Sequence, residues 1–71
     1  MIIRVRNYIE GGKLVEIKSD KPLKVRDILK ITSTPVEVFG IAMSEDGRVL
    51  SLDDEVPPGS ELKLLPSIIG G

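Results

Sequence analysis

A chain of 71 residues with 41% hydrophobic and 30% charged side chains has room for one compact domain and one core, and this globular balance disfavours a chain that is itself a disordered tail. Ten basic and eleven acidic side chains nearly cancel, so the totals carry no electrostatic footprint for a phosphate backbone, and nucleic acid is not an expected partner. With no cysteine and no histidine, the chain has no disulfide, no thiolate nucleophile, and neither the commonest neutral metal ligand nor the commonest general base.

Met1-Ile2-Ile3-Arg4-Val5-Arg6 alternates from its first residues and has no uninterrupted apolar stretch of signal-peptide length. It reads as a strand rather than a signal peptide, and a cytoplasmic protein without a membrane segment is the expectation. Ile3 and Val5, then Lys13 to Lys18, set apolar and polar residues at period two on either side of Gly11-Gly12, which predicts a β-hairpin. After Asp20-Lys21-Pro22 the period lengthens. Val25, Ile28 and Leu29 stand at i, i+3 and i+4, the spacing of one short amphipathic helix. Asp27 suits the positive end of that helix, but Lys24 occupies the place where Ser, Thr or Asp would cap it, so a weak helix start is expected.

Thr32-Ser33-Thr34-Pro35 ends the helix, because proline drives the residue before it toward extended backbone. The nearly continuous apolar run from Val36 to Met43 predicts an interior strand, and Asp46-Gly47 turns it back into Arg48-Val49-Leu50. Pro57-Pro58-Gly59-Ser60 is a dense turn, followed by a last strand, Glu61 to Leu65, with Leu62 and Leu64 on one face. The order β, β, α, β, short β, β describes an α+β domain over residues 1–66, in which one helix covers a mixed sheet of four to five strands. Residues 67–71 are then a flexible tail.

That tail, with the proline before it, is Pro66-Ser67-Ile68-Ile69-Gly70-Gly71. At an average glycine usage of about 7%, a glycine pair at the end arises by chance in roughly 0.5% of chains. Glycine has no Cβ, so such an end passes through a narrow channel and suits chemistry on its own carboxylate. A carboxylate becomes an acyl donor only when its oxygen is made a leaving group, as adenylation by ATP does. Pro66 is expected to stop the last strand and leave the following residues available to a partner.

The strand-hairpin-helix order, the turn Pro57-Pro58-Gly59-Ser60-Glu61 before an apolar last strand, and the ending Leu65-Pro66-Ser67-Ile68-Ile69-Gly70-Gly71 together resemble the ThiS/MoaD sulfur-carrier family. That family includes small archaeal ubiquitin-like modifiers. The resemblance implies a ubiquitin-like β-grasp fold. It also implies that an E1-like adenylyltransferase uses Mg and ATP to adenylate Gly71, and that a sulfur donor then converts the end to a thiocarboxylate. The sulfur would pass to a sulfur-accepting enzyme of molybdopterin, thiamine or tRNA thiolation, or the activated end would be joined to lysines of conjugated target proteins. Gly70, Ile69, Ile68, Ser67 and Pro66 would be the residues by which the partner recognises the tail. The chain departs from the commonest family pattern at Phe39-Gly40-Ile41-Ala42-Met43-Ser44, where many members have a short strand ending in Val-Asn-Gly.

Each feature also has a plainer reading. Gly70-Gly71 could be a cut linker or cloning scar. Apolar residues at strand spacing are core more often than interface, which assigns Phe39, Ile41 and Met43 to the core rather than to a docking face. Ile68 and Ile69 lie past the last strand and are expected to enter a partner's groove. Lys13, Lys18, Lys21, Lys24, Lys30 and Lys63 are ordinary solvated charge before they are conjugation sites. Asp53-Asp54-Glu55 reads as a solvated loop, since consecutive acids do not converge on one ion unaided, and no metal is expected. No hydroxyl has a base and no carboxylates are paired, so the chain is expected to be a substrate and not an enzyme, with no catalytic residue and no cofactor of its own. The third possibility, a β-grasp module that binds partners without covalent chemistry, predicts a tail that can be deleted without loss of function.

Overall fold

The computed structural model describes residues 1–35, 37 and 39–66. Strand β1 (Ile2–Asn7) turns Ile3, Val5 and Asn7 inward and pairs antiparallel with β2 (Lys13–Lys18), from Ile2 opposite Lys18 to Asn7 opposite Lys13. The reversal is the predicted hairpin with one addition, a 3₁₀ turn at Tyr8–Glu10. Asn7 starts that turn, its side-chain oxygen accepting the Ile9 N–H at 3.0 Å. Gly11 and Gly12 then close the hairpin at φ of +72° and +84°, backbone that a side chain would strain.

A short strand, β3 (Leu23–Lys24), leads directly into α1 (Val25–Ile31). Beyond the helix come β4 (Phe39–Ser44), β5 (Val49–Leu50), β6 (Glu55–Val56) and β7 (Glu61–Pro66). The main sheet is five-stranded, in the order β2-β1-β7-β4-β5, with β1 and β7 parallel and every other pair antiparallel. β3 and β6 form a separate two-stranded sheet, which periodicity did not foretell because each strand is only two residues long. Val25, Ile28 and Leu29 of the helix pack with Ile3, Val5, Ile17, Ala42, Val56, Leu62 and Leu64 in one core. Among the described residues no helix is long and apolar enough to cross a membrane.

The helix start differs from expectation. Lys24 contributes no side-chain cap, as its chemistry requires. Two of the amides left free at the helix start are met by the loop before β6: Val25 N–H donates to the Asp54 carbonyl at 3.0 Å and Arg26 N–H to the Leu52 carbonyl at 3.1 Å. The Arg26 guanidinium reinforces the same join, with Nε and Nη2 on Asp53 Oδ1 at 3.1 and 2.8 Å. Asp54, for its part, accepts the Ser51 N–H at 2.8 Å. The acidic run is therefore divided among separate partners.

The assignment of Phe39, Ile41 and Met43 to the core also needs correction. β4 lies inside the sheet, as the apolar run predicts, but it begins at Phe39, and Ala42 is its only fully buried residue. A bulge at Gly40 sets Phe39 opposite Pro66 and Ile41 opposite Leu65, so two residues of β4 advance against one of β7. The alternation is broken there. Phe39 packs against the core, while Ile41 and Met43, flanking the inward Ala42, stand on the outer face.

Candidate functional site

The tail is rooted in the middle of the molecule. β7 is the central strand of the five, and Leu62 and Leu64 have no exposed surface. Asn7 lies beside Leu64 on one flank, and Phe39 and Ile41 pair with Pro66 and Leu65 on the other. Pro66 is the last residue of β7 and is exposed. Proline is admitted at a strand end because the missing N–H costs no interior ladder bond. Of the residues expected to serve tail recognition and activation, Pro66 is thus placed at the root. Ser67, Ile68, Ile69, Gly70 and Gly71 lie outside the described residues.

A buried polar chain that the sequence reading missed braces this end of the sheet. Asn7 is 1% exposed, and its Nδ2 donates to Thr34 Oγ1 at 3.2 Å. Thr34 and Thr32 share a hydroxyl bond of 2.9 Å, and the Thr32 hydroxyl reaches the Ile28 carbonyl at 2.9 Å. Only one direction satisfies every group: Asn7 donates to Thr34, Thr34 to Thr32, and Thr32 to the helix carbonyl. The chain ties the end of β1, the 3₁₀ turn and the helix terminus together beside the tail root. Among the described residues no buried side-chain polar atom lacks a partner.

The outer face of the sheet divides into two kinds of row. In one, Arg4 stands between Glu16 and Glu61, with Nε of Arg4 3.7 Å from the Glu16 carboxylate. In the next, the neighbours run Leu14, Arg6, Lys63, Met43, Val49. Arg6 and Lys63 are thus side by side, and among the described residues neither forms an ion pair. Past Met43, Ile41 faces Leu65, so the apolar patch reaches the residue before Pro66.

At the far end of β4, Ser44, Asp46, Arg48, Glu55, Ser60 and Glu61 line a shallow cleft of about 220 Å³. The Ser44 hydroxyl donates to Asp46, and with Arg48 beside it the Asp46 carboxyl is held below its ordinary value. These contacts close the Asp46-Gly47 turn, where Gly47 N–H reaches the Ser44 carbonyl at 3.0 Å.

No family profile matches the chain, and no curated protein matches it. Among solved structures, a protein designed de novo on the basis of ubiquitin aligns with a TM-score of 0.57 and 22% identity, covering 100% of this chain and 94% of the other. At that identity the likeness concerns the fold, and distinguishes no family within it. The fold is ubiquitin-like: one α-helix over a mixed five-stranded sheet, the α+β β-grasp arrangement expected from the order of elements.

Proposed function

We propose that this chain is a sulfur carrier protein whose Gly71 carboxylate is activated by an E1-like adenylyltransferase. The observation that carries the reading is the join between a ubiquitin-like sheet and a glycine-rich end: central strand β7 terminates at an exposed Pro66, and the sequence continues to Gly70-Gly71. A central strand with two fully buried leucines is a firm handle for a tail that another protein must grasp.

In the proposed reaction a Gly71 carboxylate oxygen attacks the α-phosphorus of Mg-bound ATP, releasing pyrophosphate and leaving an acyl adenylate. Hydrosulfide, the sulfide-level species a sulfur donor must supply, then attacks the acyl carbon, AMP departs, the thioacid proton is lost to water, and the end becomes a thiocarboxylate ready for a sulfur-accepting enzyme. The adenylating partner supplies the ATP site and the metal. This chain supplies the acyl group and the surface by which it is recognised, and is a cytoplasmic substrate rather than a catalyst.

The test is to incubate the protein with ATP, Mg and E1-like enzymes of the same cell and to read the intact mass of its end. The expected result is ATP-dependent adenylation, with a thiocarboxylate on protein purified from native cells. Unmodified ends in both settings would sink the reading. The same activated end serves a ubiquitin-like modifier, for which the distinguishing result is a Gly-Gly remnant on lysines of other proteins. Deleting Gly70-Gly71 should abolish transfer and leave the melting temperature unchanged. A deleted form that keeps full function would identify a non-covalent binding module instead.

A further inference from the structure

The two edges of the main sheet are built differently. At one, β5 is two residues long, a short edge strand of the kind that blunts a sheet against further pairing. At the other, β2 runs for six residues in unbroken register with β1, and among the described residues no strand lies on its open side. Hydrogen bonding fixes which of its backbone groups are free. Arg4 N–H donates to the Ser60 carbonyl toward β7, and Ser19 N–H to the Met1 carbonyl across the hairpin. By the alternation of an antiparallel pair, Lys13, Val15 and Ile17 therefore turn their N–H and C=O groups to β1. Those of Leu14, Glu16 and Lys18 point outward, a template for one more strand. Along this edge the side chains are apolar in the middle and cationic at the ends. Leu14 is 44% exposed on the outer face and Val15 is half-buried on the inner. Lys13 and Lys18 stand at the two ends, without an ion pair among the described residues, and Glu16, the strand's one acid, lies beside Arg4. Edge lysines commonly repel other strands, but here they leave the apolar centre open.

We propose that β2 binds an extended protein segment by antiparallel strand addition, the segment carrying apolar residues opposite Leu14, Val15 and Ile17 and an acidic residue opposite each of Lys13 and Lys18. Charge commits the edge to that occupant. A second copy would have to align its own outward groups with these, and the two registers that overlap most of the strand put Glu16 opposite Glu16 or opposite Leu14. An acid-flanked apolar segment instead meets a cation at each end and apolar side chains between them, while its backbone fills the outward N–H and C=O groups. The site stands apart from the root of the tail. β1 lies between β2 and β7, which separates them by two strand spacings, about 10 Å, so a segment added outside β2 leaves the end of β7 uncovered. The inference goes beyond the carrier reading and holds or fails without it.

The experiment titrates the blocked peptide acetyl-Asp-Val-Thr-Val-Val-Asp-amide into the full chain and follows amide chemical shifts and hydrogen exchange. Saturable shifts centred on β2 are expected, with slowed exchange at Leu14 and Glu16 and binding that weakens as salt rises. N-methylation of the peptide's Thr, whose N–H would meet the Glu16 carbonyl, should weaken binding at least tenfold. N-methylation of the Val after it, whose N–H would point away from β2, should change it far less. Because methylation leaves the protein untouched, this loss cannot come from misfolding. The double variant Lys13→Glu with Lys18→Glu should lose binding at least tenfold and prefer a peptide with Lys in place of both Asp residues, while Lys30→Glu, on the exposed side of α1, should stay within twofold. Thermal melts of the variants accompany the titrations. Absence of shifts at millimolar peptide, shifts centred away from β2, equal binding of the Lys-ended peptide to the wild type, or indifference to Thr methylation each overturns the proposal. Self-association of the wild type through β2 that the peptide fails to displace assigns the edge to a second copy and overturns it as well.

Discussion

The inner and outer faces of the sheet belong to the same strands and obey different rules. On the inner face, Ile3 and Val5 of β1 and Leu62 and Leu64 of β7 have no exposed surface, and the buried polar residue of β1, Asn7, has a partner for its amide nitrogen and another for its oxygen. On the outer face, one residue along the same strands, Arg6 stands beside Lys63 and Ile41 beside Leu65, a mixture of repulsion and exposed apolar surface. The inner face is explained by the free energy of folding, since burial and hydrogen bonding account for each residue on it. Part of the outer face is accounted for too, since Arg4 lies 3.7 Å from the Glu16 carboxylate and Arg6 Nη1 donates to the Gly12 carbonyl at 3.5 Å, but the neighbouring cations Arg6 and Lys63 and the exposed Ile41 are not.

Four measurements break or sharpen the contrast. The largest effect belongs to the inner face: Leu62→Ala opens a cavity in the central strand and should cost about 2–5 kcal/mol in denaturant unfolding. A loss below about 1 kcal/mol would show that the core collapses around the gap. Asn7→Ala comes next, because it strands the Ile9 N–H and unties Thr34; about 1–3 kcal/mol is expected, with faster hydrogen exchange at Ile9. If Asn7→Ala proves neutral, the bracing role assigned to the buried chain is wrong.

On the outer face the expected sign reverses. Lys63→Ser relieves a like-charge neighbour and should leave stability unchanged or raise it by up to about 1 kcal/mol, a gain that shrinks in high salt. A clear destabilisation would mean that Lys63 is structural after all. The smallest effect lies at the rim, in the turn after β4. Because the folded carboxyl of Asp46 is held below its ordinary value by Ser44 and Arg48, its contribution is fully present above the unfolded pKa and is lost as pH falls through the folded one. Asp46→Asn should lower the neutral plateau of a stability-against-pH curve slightly, leave stability below the folded pKa unchanged, and so make the acid limb shallower.

Much of the inner face was legible in the residues alone. Period two at Ile3 and Val5 and at Leu62 and Leu64, and the i, i+3, i+4 spacing of Val25, Ile28 and Leu29, identified core positions that the structure buries. Asn7 could have been found the same way, since it continues the inward series of Ile3 and Val5 and a polar residue there demands partners. Those partners, Thr34 and Thr32, follow a helix and carry no pattern that announces them. The outer face was far less legible. Arg6 and Lys63 are separated by most of the chain, and only the parallel register of β1 with β7 makes them neighbours. Gly40 was visible as a glycine in an apolar run, but whether it bulges depends on the strand beside it.

The amino-acid sequence by itself determined the order of the main elements, the inward side of β1, β7 and the helix, and the Gly-Gly end, because all of these are written in local periodicity and composition. Tertiary structure alone decided the pairing of β3 with β6, the carbonyls that cap α1 from a distant loop, the inward turn of Phe39 away from Ile41, and the meeting of two cations on the outer face. Each of these depends on which strand lies next to which. Strand neighbours are chosen by the burial of the whole core at once, and no short stretch of residues carries that information.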